Sequence, residues 1–320
     1  MNINRIDGES SGVFVIAPTP FDDNGELDLD SARHMCEFYL EHGATGMTIL
    51  GMMGEAPKLT QEESISFAEV VLSTLAGRIP VVVGVSSPAL NLLSALSEQV
   101  MSLGAAGVMV APMPTLKTDT AISAYYAAVI EQLGEIPVCL QDYPQTLGVH
   151  FSVELLVKLF AEHASLCMLK HEDHPGLNKL GRFRAACSVP VSEGGIGRRI
   201  SILVGNGGLF LPEEMARGAD GAMTGFAFPE MLRQVTDLMI KGDTERANAV
   251  FNAYLPLVRY ELQPGLGLAI RKYVLARRGA IKTAKLRAPG PALTQADIAE
   301  VEALWARQQR SLQALDIPSR

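Results

Sequence analysis

Short runs rich in β-branched residues alternate with longer amphipathic segments through most of this chain, and the alternation repeats eight times. The strand-like runs are 13–17, 46–51, 81–85, 107–111, 138–141, 166–170, 200–204 and 221–225. Between them the 3.6-residue period of a helix face recurs at 31–41, behind Thr60, at 89–103, 120–133, 153–162, 178–187, briefly at 212–217, and from Pro229 onward. Asp30 is the expected N-cap of the first helix, and Thr60 with Glu63 three residues on makes a capping box. Strand–helix units in one register predict a parallel sheet with helical crossovers, because parallel strands need a long return connection. A count of eight favours closure into a (β/α)8 TIM barrel over an open doubly wound sheet. An open dinucleotide-binding sheet would want a glycine-rich turn after its first strand. Here that strand runs into Ala17-Pro18-Thr19-Pro20-Phe21, which cannot cradle a pyrophosphate, and Gly205-Asn206-Gly207-Gly208 comes late without the required spacing.

The chain has 320 residues, within the range of one such barrel with an addition. Residues 1–12 read as an N-terminal tail, 13–240 as the barrel, and 241–320 as a C-terminal helical segment. Within that segment 244–259, 265–278 and 294–314 are helical by pattern, with 282–291 as a linker; residues 188–199 read as a loop inserted before the seventh strand. Hydrophobic residues make up 48% and charged residues 19%, enough for a large core. The net charge of −8 argues against nucleic acid, which needs a basic face, but leaves room for a small anionic substrate. No apolar run is long enough to span a membrane, and the first ten residues lack an apolar signal core. Cys36, Cys139, Cys167 and Cys187 form no CxxC pair, and a reducing cytoplasm is the expected compartment.

A barrel builds its site from the carboxyl ends of its strands. Those ends offer Thr19, then Gly51-Met52-Met53-Gly54-Glu55, Ser86-Ser87, Pro112-Met113-Pro114, Gln141-Asp142-Tyr143-Pro144, Lys170 to His174, Gly205-Asn206 and Gly225. Lys170 ends the sixth strand, where an amine shielded from water can attack a carbonyl carbon. Glu172 follows two residues later, and on an extended chain such residues point to one side with Cα atoms about 6.5–7 Å apart. The competing reading is a surface ion pair, with Glu172 merely holding the lysine's charge. His171, Glu172, Asp173 and His174 invite a metal, but two histidines three apart in a loop without a third imidazole read better as a solvated polar loop. Glu55 reads as a structural hydrogen-bond acceptor. Asn206 is a candidate for substrate hydroxyls, with loop capping as its other reading.

Taken in order, Ala17-Pro-Thr-Pro-Phe21, Gly51-Met-Met-Gly-Glu55, Pro144, Lys170 and Gly205-Asn-Gly resemble the dihydrodipicolinate synthase and N-acetylneuraminate lyase superfamily, over roughly residues 12–310. The resemblance implies an eight-stranded barrel with a C-terminal helical segment, a homotetramer, and an imine between Lys170 and a 2-keto acid. It also exposes departures. Two threonines usual after the second strand are Met52 and Met53, so backbone amides at Met52, Met53 and Gly54 remain to hold a substrate carboxylate. The tyrosine usual as acid and base is Gln141, an amide that can orient but cannot shuttle protons. Tyr143 sits two residues later and is expected to point elsewhere, as a partner for a substrate hydroxyl or as interface packing. Thr146 stands where the synthases place an arginine. A subgroup that dehydrates 2-keto-3-deoxy sugar acids is similar in pairing Gln-Asp-x-Pro with a glutamate two residues after the lysine. The expected activity is therefore a Schiff-base lyase on a 2-keto acid, with Lys170 and Glu172 catalytic and Met52, Met53, Gly54, Gln141, Tyr143, Gly205 and Asn206 binding substrate. The alternatives are a pyruvate-dependent aldolase or 4-hydroxy-tetrahydrodipicolinate synthase, and a barrel that only binds a metabolite. The imine itself supplies the electron sink, so neither a metal nor an organic cofactor is expected.

Overall fold

The computed structural model describes residues 5–174 and 176–317. Among these, eight parallel strands close into a barrel in sequence order. They are β1 (Gly12–Ile16), β2 (Gly46–Ile49), β3 (Val81–Gly84), β4 (Gly107–Val110), β5 (Val138–Asp142), β6 (Leu166–His171), β7 (Ser201–Val204) and β8 (Gly221–Thr224). The outer layer is α1 (Leu29–Glu41), α2 (Gln61–Leu75), α3 (Leu90–Ser102), α4 (Asp119–Leu133), the single turn α5 (Pro144–Leu147), α6 (Val153–Glu162), α7 (Leu177–Cys187), α8 (Leu211–Ala216) and α9 (Pro229–Ile240). Then follow α10 (Thr244–Glu261), α11 (Gly267–Arg277) and α12 (Gln295–Ala314). No helix among the described residues is long and apolar enough to cross a membrane.

Strand alternation sorts the apolar residues into two cores. Phe14, Ile16, Val82, Met109, Cys139, Met168, Leu203 and Met223 fill the barrel, and Ile6 of the tail closes its amino end, its N–H donating to the Ala106 carbonyl at 3.0 Å. A larger core lies between strands and helices. All four cysteines are buried thiols, consistent with small apolar packing.

One irregularity decides which way Lys170 faces. Val138 pairs with Leu166, but Cys139 pairs with Met168, so the β5–β6 ladder slips by one residue and Cys167 is left over. Cys167 and Met168 both belong to the barrel interior, whereas Leu166 and Leu169 face the helices. Strict alternation from Leu166 would have turned Lys170 outward; a one-residue slip reverses every side chain that follows.

The capping box at α2 is present, with Glu63 N–H donating to Thr60 Oγ1 at 3.2 Å and Thr60 N–H to Glu63 Oε2 at 2.8 Å. Two expectations need correction. The N-cap of α1 is Asp28, whose Oδ1 accepts the Ser31 N–H at 2.9 Å; Asp30 lies inside the first turn. Strand β6 does not stop at Lys170 but runs to His171, and the Glu172 N–H still donates to the Asp142 carbonyl at 2.9 Å. Residues 282–291 connect α11 to α12 as a linker should, and are anchored: Arg287 grips Glu63 with two hydrogen bonds of 2.7 Å and gives its N–H to Glu55 Oε2 at 3.1 Å. These bonds bolt the C-terminal segment over the carboxyl end of the barrel, on the side of β2.

Candidate active site

Lys170 sits between Gln141 of β5 and Leu203 of β7 in the ladder register. Its Nζ lies 2.9 Å from Oε2 of Glu172, with side-chain exposures of only 6% and 8%, so the pair is buried and not the surface ion pair of the competing reading. The same Oε2 accepts a 2.7 Å hydrogen bond from Nε2 of Gln141. Gln141 thus fixes the carboxylate that faces the amine, consistent with an amide that orients.

Gly205 makes room for Glu172. A Cβ built there would lie 2.2 Å from Cγ and 2.4 Å from Oε1 of Glu172. Its φ of −108° is ordinary but its ψ of −137° lies outside the broad β region, so glycine here serves the backbone as well as the space for Glu172. Asn206, at φ +51°, enters the left-handed region that asparagine tolerates, and its Nδ2 donates to the Glu172 carbonyl at 3.1 Å. Half of its amide is therefore spent on holding the strand end, which is the capping role.

Behind this layer, His171 and Glu172 are buried, which corrects the solvated-loop expectation; Asp173 is half-buried and His174 exposed. His171 faces away from the barrel axis, with Nε2 3.1 Å from the Gly176 carbonyl and Nδ1 3.5 Å from Asp142 Oδ2. Asp142 also takes Lys179 Nζ at 2.6 Å. The fold thus supplies a hydrogen-bond partner to Nε2 only; Nδ1 lies near Asp142 without a hydrogen bond.

Across the mouth, Met52–Gly54 form a 3-10 turn entered through Leu50 and left through Glu55, both with positive φ (54° and 56°). Left-handed non-glycine residues cost about 1–3 kcal/mol each and persist only where surroundings enforce them. Glu55 supplies that enforcement: buried, it accepts Lys272 Nζ at 2.7 Å and Lys58 Nζ at 2.8 Å besides the Arg287 amide. Burial lowers the Lys272 ammonium to about 8, with Glu55 opposing the shift. Glu55 is therefore the structural acceptor expected. The Gly54 N–H is already committed to the Gly51 carbonyl at 2.9 Å, and its carbonyl accepts Thr19 Oγ1 at 2.6 Å. Of the three amides proposed for a carboxylate, those of Met52 and Met53 open the turn, where N–H groups lack partners within the helix.

A chamber of about 60 Å³ gathers Lys170, Glu172, Gln141, Tyr143, Met52, Met53 and Asn206, together with Ile16, Gly207, Thr224, Gly225, Leu262 and Arg271. Gly54 and Gly205 do not line it. Tyr143 does, contrary to the expectation that it points elsewhere: β5 ends at Asp142, and Tyr143 (φ −133°, ψ 71°) leaves the strand geometry to cap α5. Burial is the main cause that raises the Tyr143 phenol above its usual value, with Thr146 opposing and Glu172 adding to it. Tyr143 is therefore a hydrogen-bond donor at neutral pH. The chamber widens into a cleft of about 570 Å³, roofed by residues 261–268 and Arg271 and shared with Met53, Tyr143 and Asn206. A second, mostly apolar hollow of about 450 Å³ lies on the β3–β4 side and meets the chamber at Met52 and Gln141.

Sequence reasoning missed Arg271 and Thr224. Thr224 Oγ1 accepts the Gly207 N–H at 2.8 Å and so steadies the loop after β7. Arg271 arrives from α11, outside the strand ends, and no strand-end rule could have found it.

Comparison with known proteins agrees with this architecture. The dihydrodipicolinate synthetase family pattern matches residues 9–308. The chain is 31% identical over 300 residues to the L-2-keto-3-deoxyarabonate dehydratase of Azospirillum brasilense, covering 92% of this chain and 94% of that one. It is 28% identical to the 4-hydroxy-tetrahydrodipicolinate synthase of Geobacter metallireducens, over 74% of this chain and 78% of that one. A crystal structure of the dihydrodipicolinate synthase from Rhodopseudomonas palustris superposes with a TM-score of 0.90 at 44% identity, covering 95% of this chain and 99% of the other. With the family pattern spanning nearly the whole chain and a lysine-bearing barrel beneath it, the chain belongs to the dihydrodipicolinate synthetase family and is a lyase.

Proposed function

We propose that this lyase forms a Schiff base between Lys170 and a 2-keto-3-deoxy sugar acid and removes water from it. The observation that carries the reading is the buried contact of 2.9 Å between Lys170 Nζ and Glu172 Oε2, in a chamber where Gln141 takes the place of the acid–base tyrosine. The similarity to a 2-keto-3-deoxyarabonate dehydratase supports the same substrate class.

The chemistry follows from the groups present. The substrate carboxylate meets the amides of Met52 and Met53. Proton transfer from Lys170 to Glu172 frees the amine, which adds to C2; one amine proton passes to the former carbonyl oxygen, Glu172 gives the same oxygen the proton it had taken, and the C2–O bond breaks to release water, leaving a protonated imine and an ionised Glu172. Glu172 then takes a proton from C3, and the electron pair moves into the imine to give an enamine. The enamine pushes out the C4 hydroxyl as the C4–O bond breaks, and Glu172 returns its proton to that leaving group, so that water departs. A second water hydrolyses the conjugated imine, releasing product and the amine. Gln141 holds Glu172 throughout and exchanges no proton.

A second reading, aldol cleavage or synthesis through the same imine, is supported by the similarity to synthases. It needs the C3–C4 bond to break where dehydration breaks C4–O. Assay of a panel of 2-keto-3-deoxy sugar acids separates them: water loss without pyruvate is the expected result, and stoichiometric pyruvate release would establish the aldolase. Family resemblance alone supports a homotetramer working in the cytoplasm, which sedimentation and cell fractionation test.

A further inference from the structure

Arg271 is a buried cation whose Nη1 is left without a partner. It lies on α11, is 4% exposed, and gives Nε to Glu261 Oε1 at 2.6 Å. Its Nη1 is shielded from solvent and has no hydrogen-bond partner. A guanidinium carries five N–H donors and no acceptor, so a buried nitrogen left unmatched is costly unless a ligand completes it.

The position of Nη1 is as telling as its lack of a partner. A Cβ at Gly225 would lie 2.1 Å from it, so the end of β8 is bare where the guanidinium crosses. Arg271 thereby reaches from the C-terminal segment into the chamber that holds Lys170. It also lines the outer cleft, as do Tyr143 and Asn206, and so marks the junction between the two. With C2 of a substrate bonded to Lys170 in the small inner space, this junction opens the way to the larger of the two hollows that meet the chamber, about 570 Å³ against about 450 Å³ on the β3–β4 side.

We propose that Arg271 is a specificity-determining residue that reads the far end of the substrate, Nη1 donating to an oxygen carried beyond C4 of the 2-keto acid. This rests on the Schiff-base reading of Lys170. Glu261 balances the guanidinium charge, so the oxygen can belong to a hydroxyl or to a second carboxylate; both present the acceptor that Nη1 lacks. Thr146, which stands where the synthases of the resemblance place an arginine, lines the same cleft as Arg271, and the cation there comes from α11.

The test compares a substrate with a tail and one without. Pyruvate has no carbon beyond C3, so its borohydride-trapped adduct on Lys170 reads imine formation alone. A 2-keto-3-deoxypentonate and a 2-keto-3-deoxyaldarate carry hydroxyl and carboxylate tails. For Arg271→Met, kcat/KM on the tailed acids is expected to fall by roughly 10- to 100-fold, the loss of a charged hydrogen bond, and by at least about tenfold more than pyruvate trapping falls. Arg271→Lys, which keeps a cation beside Glu261, is expected to recover part of the loss and carries the same comparison where the methionine variant does not fold. The larger loss on one tail identifies the oxygen that is read. Equal losses on pyruvate and tailed acids would show that Arg271 only braces Glu261, and no loss on either would overturn the proposal outright. Absence of any adduct in the unsubstituted protein, with a substrate that turns over, would instead remove the Schiff-base reading on which the proposal stands.

Discussion

Nζ of Lys170 and Oε2 of Glu172 stand 2.9 Å apart at the carboxyl end of β6, both nearly enclosed. Two residues on one extended strand share a face, and the β5–β6 slip turns that face inward. The contact supports two distinct parts for Glu172, holding a charge or moving a proton. Glu172→Gln separates them, because the amide keeps the shape and loses the proton traffic. We expect kcat to fall by roughly 10²- to 10⁴-fold, the usual worth of a general acid–base, while pyruvate is still trapped on Lys170 by borohydride to the same final extent, though more slowly, because the amine then loses its proton to water. Loss of trapping in proportion to kcat would assign Glu172 to holding the lysine only.

Gly205 offers a way to move Glu172 without changing its chemistry. Its missing Cβ would fall 2.2 Å from Glu172 Cγ, closer than any real contact. Gly205→Ala is expected to push the carboxylate out of line with the amine and lower kcat by roughly 100-fold, since small misplacements at a reacting centre are that costly. Steady-state kinetics beside a melting curve checks this; a folded variant with unchanged kcat would mean that Glu172 sits elsewhere during turnover.

Glu214 gives the fold a pH dependence of its own. It is buried in α8, its Oε2 has no partner, and burial, with smaller help from Glu213 and Glu172, raises its carboxyl from 4.5 to about 8. Between those two values the folded chain holds a proton that the unfolded chain has released. Stability is therefore greatest below pH about 4.5 on this account and falls as pH rises toward about 8, by on the order of a few kcal/mol. Glu214→Gln, neutral at every pH, should flatten that slope and raise the melting temperature at pH 8 relative to the unsubstituted protein. Parallel melting curves at pH 5 and pH 8 measure it; an unchanged slope would show that Glu214 ionises without penalty.

The barrel was legible because eight strand runs and the helices between them repeat one pattern that parallel geometry alone accommodates. Lys170, Glu172 and Gln141 were legible for a local reason, since each occupies a strand end. Arg271 was not, because its address depends on how α11 lies across the barrel, a long-range contact that no period encodes. The room that Gly205 leaves for Glu172 was not legible either, a steric fact visible only once β6 and β7 are side by side. Tyr143 was turned away by extrapolating the strand one residue too far. The slip at Cys167 was equally hidden: Leu-Cys-Met-Leu-Lys reads as an unbroken apolar run, and nothing in it announces the change of face.

The central claim is that Lys170 forms the covalent imine. Incubation with pyruvate and borohydride, followed by intact-mass and peptide mapping, measures this directly. The account predicts one stable pyruvyl adduct per chain, located on Lys170 and absent in Lys170→Ala. An unmodified mass under conditions where a 2-keto acid is turned over, or an adduct that survives Lys170→Ala, would contradict it.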